Sequence, residues 1–238
     1  MYYFYYNPTF FCFFMLALIL GIVAQAAVKS KFNKYSKVRT MRGLTGAQAA
    51  REILDANGLY DVTVEETQGF LSDHYDPRSR TLRLSPAVAR QPSVASVGVA
   101  AHETGHALQH AQGYVPLKLR SAMVPAVQLG TWLGPIVIIS GLGLEFLMRA
   151  SGLGMGIAWF GVALYALVAL FSVITLPVEL DASARAKKLL YQYNIVDKQE
   201  LSGVSSVLNA AAWTYVVAAI AALLQLARWV LILMARRD

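Results

Sequence analysis

Three of the four histidines in this 238-residue chain, His102, His106 and His110, fall within a single stretch of nine residues. On a helix, His102 and His106 project from one face about one turn apart, so both imidazoles can reach a single ion. Glu103 follows the first of them and is placed to hold a water beside that ion. Two His ligands with a Glu as general base make up the machinery of zinc-dependent hydrolysis. The bland alternative is a helix that merely carries two His and a Glu. Unpaired, however, these groups are costly to bury among the small, apolar residues that surround them.

A catalytic zinc takes three protein ligands and keeps one position open. His110, eight residues after His102, drifts about 80° around the helix and does not complete the set. The metzincin extension would need Gly at 109 and His at 112; Gln109 and Gln112 stand there, which excludes that class. Among the downstream acids, Glu179 is the expected third ligand. Pro177 suits the first turn of a helix, on which Glu179, Ala182, Ser183 and Ala186 share a face whose small residues allow close approach to the histidine helix. The alternative role for Glu179 is a carboxylate favoured at a helix N-terminus. Asp181 precedes Arg185 by four, which suits a helix-surface ion pair or a hydrogen bond to His102 or His106. The developing oxyanion needs a donor besides the metal, and His74, Tyr75, Tyr114, Arg185 and Tyr191 are candidates. The expected cofactor is one Zn2+ per chain.

The elements that must position these residues are set by composition. Hydrophobic residues make up 56% of the chain and charged residues only 15%, which excludes disorder, a disulfide scaffold and an ordinary soluble enzyme. The single Cys12 permits no intrachain disulfide. Apolar runs cover Phe10–Val28, 122–144, 153–176 and 211–234. The first has 19 residues, enough for roughly 28 Å of helix against a hydrocarbon core of about 30 Å. Ala24-Gln25-Ala26 imitates a signal-peptidase site, but the basic residues follow this run instead of preceding it, so a retained anchor is expected. Tyr2, Tyr3, Phe4, Tyr5 and Tyr6 suit an interfacial belt. Gly130 and Gly134 suit a close helix contact.

The net charge of +7 does not point to nucleic acid, because the basic residues cluster beside the apolar runs. Seventeen Lys and Arg lie in 29–120 and 177–210, against three in the other loop and tail, Arg149, Arg236 and Arg237. The positive-inside rule puts the richer segments in the cytoplasm. The expected organisation is a transmembrane anchor (1–28), a cytoplasmic portion with the histidine helix (29–120), a membrane hairpin (121–176), a cytoplasmic helix with the third ligand (177–210) and a last transmembrane helix (211–238). Within 29–120, Thr45 and Gln48 form a capping box for a helix that stops near Asn57-Gly58. Strands are expected at Asp61–Glu65 and Thr81–Leu84, around a turn at Asp76-Pro77-Arg78-Ser79. Ser93 caps the histidine helix, which runs to Gln112 and ends at Gly113. The strand Leu82–Leu84 either pairs with an extended substrate as a sheet edge or is an ordinary strand of a small sheet.

Three segments together resemble the YugP-type neutral zinc metallopeptidases of bacterial membranes: His102 to His110, Leu71-Ser72-Asp73-His74-Tyr75-Asp76-Pro77, and Leu176-Pro177-Val178-Glu179-Leu180-Asp181-Ala182-Ser183. The resemblance covers most of the chain. More distantly, the chain is similar to HtpX-like and CAAX-prenyl-protease zinc peptidases, which pair the His-Glu-x-x-His helix with a later Glu-x-x-Ala-Asp segment. This implies Glu179 in the ligand place, a gluzincin-like set, with Ala182 matching the Ala. Ser183 stands where those families have Asp, so a short side chain occupies the place of the residue that orients a histidine. The resemblance implies hydrolysis of peptide or protein substrates. The fold class expected is a mainly α membrane protein, with about four transmembrane helices and a small cytoplasmic α+β zinc-peptidase portion. The competing functions are a transporter with a structural zinc and a zinc-binding pseudo-peptidase scaffold. Against the first, the spans carry no acidic or His residue at mid-depth; against the second, Glu103 is intact.

Overall fold

Thr45 accepts a hydrogen bond from the Gln48 backbone N–H while the Gln48 side chain accepts from the Thr45 N–H, and this reciprocal cap starts a helix at Gly46. The computed structural model describes residues 8–69, 72–148 and 152–235. The expected aromatic leader Tyr2–Tyr6, Leu71, the turn residues Arg149 and Ser151, and the terminal Arg236 and Arg237 lie outside the described residues. Among those described, the order is α1 (Pro8–Tyr35), α2 (Gly46–Ala56), β1 (Thr63–Glu66), β2 (His74–Asp76), β3 (Thr81–Leu84), α3 (Pro86–Ala89), α4 (Val94–Ala111), α5 (Val115–Leu147), α6 (Leu153–Gln192) and α7 (Lys198–Met234). The chain divides into two units, one of Val23–Lys118 with Pro177–Thr214, the other of Met1–Ile22, Leu119–Leu176 and Tyr215–Asp238.

The first unit holds the sheet and α2 to α4. Strand order is β1-β3-β2, with β1 parallel to β3 (Thr63↔Thr81) and β2 antiparallel to it (Tyr75↔Leu82). The Asp76–Ser79 turn folds β2 back: Asp76 accepts from the Arg78 N–H at 2.9 Å and from Ser79 Oγ at 2.8 Å. Leu82–Leu84 is therefore the central strand and no edge, which corrects the reading of it as a substrate-pairing strand. Both its ladders are occupied, and Leu82 and Leu84 are fully buried in a cluster with Ala50, Leu54, Val62, Val88, Ala95 and Ala100. A second cluster joins Ile53, Val97, Ala101 and Leu108 to Leu190, Ile195, Val204 and Leu208. Helix α4 thus has apolar residues in both clusters. Ser93 caps it by accepting from the Ser96 N–H, and Gly113, at φ +66°, ends it with the Tyr114 N–H on the Gln109 carbonyl.

In the second unit, close backbone approach replaces bulk. A Cβ on Gly130 would stand 2.5 Å from the Leu164 carbonyl oxygen and one on Gly141 2.5 Å from the Ala158 nitrogen, so α5 and α6 meet at their glycines. Ile138, Ala158, Val162 and Leu233 form its buried core. Trp132, Ile136 and Phe160 are exposed, a surface suited to lipid and not to water. Among the described residues, four helices are long and apolar enough to cross a membrane: Met15–Tyr35, Val115–Leu147, Leu153–Gln192 and Lys198–Met234. The protein is a mostly helical, multi-pass membrane protein.

One boundary differs in kind from the sequence reading. Pro177 does not open a helix; it lies inside the continuous α6. Proline removes one hydrogen bond, to the carbonyl four residues back, but the helix-favouring sequence on both sides carries the helix through. Glu179 consequently sits in the interior of a 40-residue helix, which removes the N-terminal-charge reading of it.

Candidate metal centre

Helix α4 contributes His102 and His106, one turn apart, and α6 contributes Glu179 from 73 residues further along the chain. The helices can approach because Gly105 lies between the histidines: a Cβ there would stand 2.6 Å from the Ala182 carbonyl oxygen. Glu179 Oε2 is 3.2 Å from His102 Nε2 and 3.6 Å from His106 Nε2. The imidazole rings meet edge to face, with centroids 4.8 Å apart. The three candidate ligand atoms lie within 4.8 Å of one another.

This donor set fits zinc. Ligands at about 2.0–2.1 Å on a tetrahedral ion stand about 3.4 Å apart, and the two carboxylate–imidazole distances bracket that value. Glu179 and His106 are 2% and 8% exposed, and a buried carboxylate needs opposing charge or hydrogen bonds close by. Burial disfavours the charged form of His106, but the Glu179 hydrogen bond and the Glu103 and Glu179 charges outweigh it and raise its pKa. The two carboxylates thus favour positive charge here, either a proton on His106 or a metal ion in its place.

Each histidine is oriented through its second nitrogen. His102 Nδ1 is 3.1 Å from Ser183 Oγ, so the short serine in the Asp position does reach the ring. His106 Nδ1 is 3.0 Å from Gln109 Oε1. Gln109, fully buried, donates from Nε2 to the Val178 carbonyl and to Asp181 Oδ2, each at 2.8 Å. Asp181 touches no histidine and acts through Gln109, while Arg185 Nε donates to Asp181 Oδ2 at 2.5 Å, the expected i,i+4 ion pair. Arg185 also donates to Gln112 Oε1 and lies over the Tyr114 ring.

Glu103, 9% exposed, sits where its charge acts on both His106 and Asp73. Burial pushes the Asp73 carboxyl up, Glu103 adds to this, and hydrogen bonds from the Ser85 N–H and hydroxyl oppose it. Of the expected oxyanion donors, Tyr75 places its phenol 3.0 Å from His110 Nδ1, which gives His110 a partner of its own away from the ligand set. His74 is exposed, with Nδ1 against the Ser72 carbonyl, and Tyr191 is half exposed. Gln109 and Asp73 are the residues that sequence reasoning left without a role. The available signal for Gln109 was its i+3 spacing from His106, on the face turned toward α6.

A two-His, one-Glu centre with an adjacent carboxylate, set in a multi-pass helical protein, defines a class. The chain belongs to the family described as "Putative neutral zinc metallopeptidase", which matches residues 10–234. It is 45% identical over 222 residues to the "Putative membrane protease YugP" of Bacillus subtilis (strain 168), covering 93% of this chain and 95% of that protein. No solved structure matches.

Proposed function

We propose that this chain is a membrane-integrated zinc metalloendopeptidase, with His102, His106 and Glu179 holding one Zn2+ and Glu103 serving as general base. The observation that carries the reading is the convergence of these three ligand atoms from two separate helices, with Glu103 buried beside them. Zinc in such a site lowers the pKa of a water toward about 7 and polarises the scissile carbonyl. Glu103 takes the proton of the attacking water and delivers it to the leaving amine as the peptide C–N bond breaks. Ser183 and Gln109 hold the imidazoles in place during this transfer.

Substrate pairing falls to β2, whose outer edge is unpaired among the described strands. The Tyr75–His110 contact ties this strand to α4, and Asp73, just before it, comes under the charge of Glu103. An extended peptide added there would run beside the general base. The substrate in this reading is a peptide or protein at the bilayer, and the charge distribution of the loops supports a site on the cytoplasmic side of the cell membrane.

The test is metal analysis of detergent-purified protein beside its Glu103→Gln variant. We expect about one zinc in both and turnover in the wild type alone. Undiminished activity in Glu103→Gln would remove Glu103 as the base. Full zinc in Glu179→Ala, with zinc lost in Asp181→Ala, would replace the third ligand.

A further inference from the structure

We infer that Arg185, Asp181 and Gln109 form a one-way hydrogen-bond chain that delivers His106 in its metal-binding tautomer, with Gln109 as the positioning residue. The inference rests on the zinc reading of His102, His106 and Glu179. Its basis is the direction of each bond. A guanidinium can only donate, so Arg185 Nε makes Asp181 Oδ2 an acceptor at 2.5 Å. The backbone carbonyl of Val178 can also only accept. Both acceptors lie 2.8 Å from one end of the Gln109 amide, so that end must be its NH2 group. Turning the amide over would set its oxygen against two other acceptors in a fully buried place.

With the NH2 group committed, Gln109 offers His106 only an oxygen. The 3.0 Å contact then requires a proton on His106 Nδ1, so in the neutral ring that a metal takes, Nε2 is the proton-free atom facing Glu179. His102 has no such constraint, because the Ser183 hydroxyl at 3.1 Å can donate or accept. The chain also crosses between the ligand-bearing helices: Gln109 lies on α4, while Val178 and Asp181 flank Glu179 on α6. One amide therefore fixes a ring orientation and holds the third ligand's turn in register. The anchor is itself fixed, since Arg185 donates to Gln112 Oε1 at 2.5 Å and stacks 5.8 Å from the Tyr114 ring centroid.

The test uses the full-length protein in detergent, with zinc affinity from chelator competition and the visible absorption of the cobalt(II)-substituted protein as readouts. Gln109→Met keeps the volume but has no acceptor, and should bind zinc about 10–100-fold more weakly with altered cobalt bands. Asp181→Leu frees the amide to turn and should fall between wild type and Gln109→Met. Zinc binding by Gln109→Met within threefold of wild type, with an unchanged cobalt spectrum, would overturn the inference. A wild-type chain that takes up no zinc overturns the metal reading first and this inference with it; variants that match a zinc-loaded wild type overturn this inference alone.

Discussion

Gly105 and Ala182 touch backbone to backbone, with the place of a Gly105 Cβ only 2.6 Å from the Ala182 carbonyl oxygen. The contact sits between His102 and His106 on one helix and three residues past Glu179 on the other, so it sets the spacing of the candidate ligands. In an open helix, Gly→Ala would gain about 1 kcal/mol of helix propensity. Here the clash is with rigid backbone, and overpacking of this kind costs about 1–3 kcal/mol. Gly105→Ala should therefore lower the melting temperature and weaken zinc binding together. A melting temperature at or above wild type would show that the helices have room to spare.

Ser183 orients His102 with a neutral hydroxyl in a position that is 6% exposed. Ser183→Ala should weaken zinc by about tenfold, the low end for loss of a partner behind a ligand, because the hydroxyl does not dictate the tautomer. Titration of zinc into both proteins with a competing chelator measures this. A loss as large as that of Gln109→Met would mean that both histidines depend equally on their partners.

The raised pKa of His106 gives the metal-free protein a pH dependence of definite sign. Burial opposes its charge, but Glu179 and Glu103 favour it, so the folded chain holds this proton more tightly than the unfolded one. The stabilisation is fully present below an ordinary imidazole pKa of about 6.5 and is lost as pH rises through the folded value. With a chelator present, the melting temperature should drop from pH 6.5 toward alkaline pH. With zinc, the trend across that window should reverse, because the metal takes the deprotonated imidazole. Melting curves that run in parallel with and without chelator would contradict both statements.

The candidate ligands were legible in the sequence because four-residue helical spacing is a local property, and because Glu179 directly follows the pair of apolar runs after the histidine helix. Sheet order was not. Leu82–Leu84 has the alternation of any half-buried strand, and nothing in residues 81–84 states whether one partner or two lie beside it. Pro177 was misleading for a related reason. Proline is favoured in a first helical turn, yet a long helix can absorb one missing bond, and local sequence does not weigh the two. Gln109 was visible only as the wrong residue for another family's motif. Its role depends on Val178 and Asp181, which come close only when the fold is complete.

Topology decides which substrates the site can meet. Ser79 and Gln199 are both exposed and belong to the same unit as His102, His106 and Glu179, so they should share one side of the membrane with the site. The loop charge supplies which side: seventeen Lys and Arg in 29–120 and 177–210 against three elsewhere outside the apolar runs favour the cytoplasm. Single cysteines in a Cys12→Ser background separate the cases. A cysteine at position 79 or 199 should resist a membrane-impermeant thiol reagent in intact cells and react after permeabilisation, whereas one at Ser151 should react in both. Labelling of position 79 from outside would invert the orientation and make the substrates extracytoplasmic. Labelling of 79 and 199 from opposite sides would be more damaging, because a bilayer would then divide the unit that holds all three ligands, and the metal centre could not form.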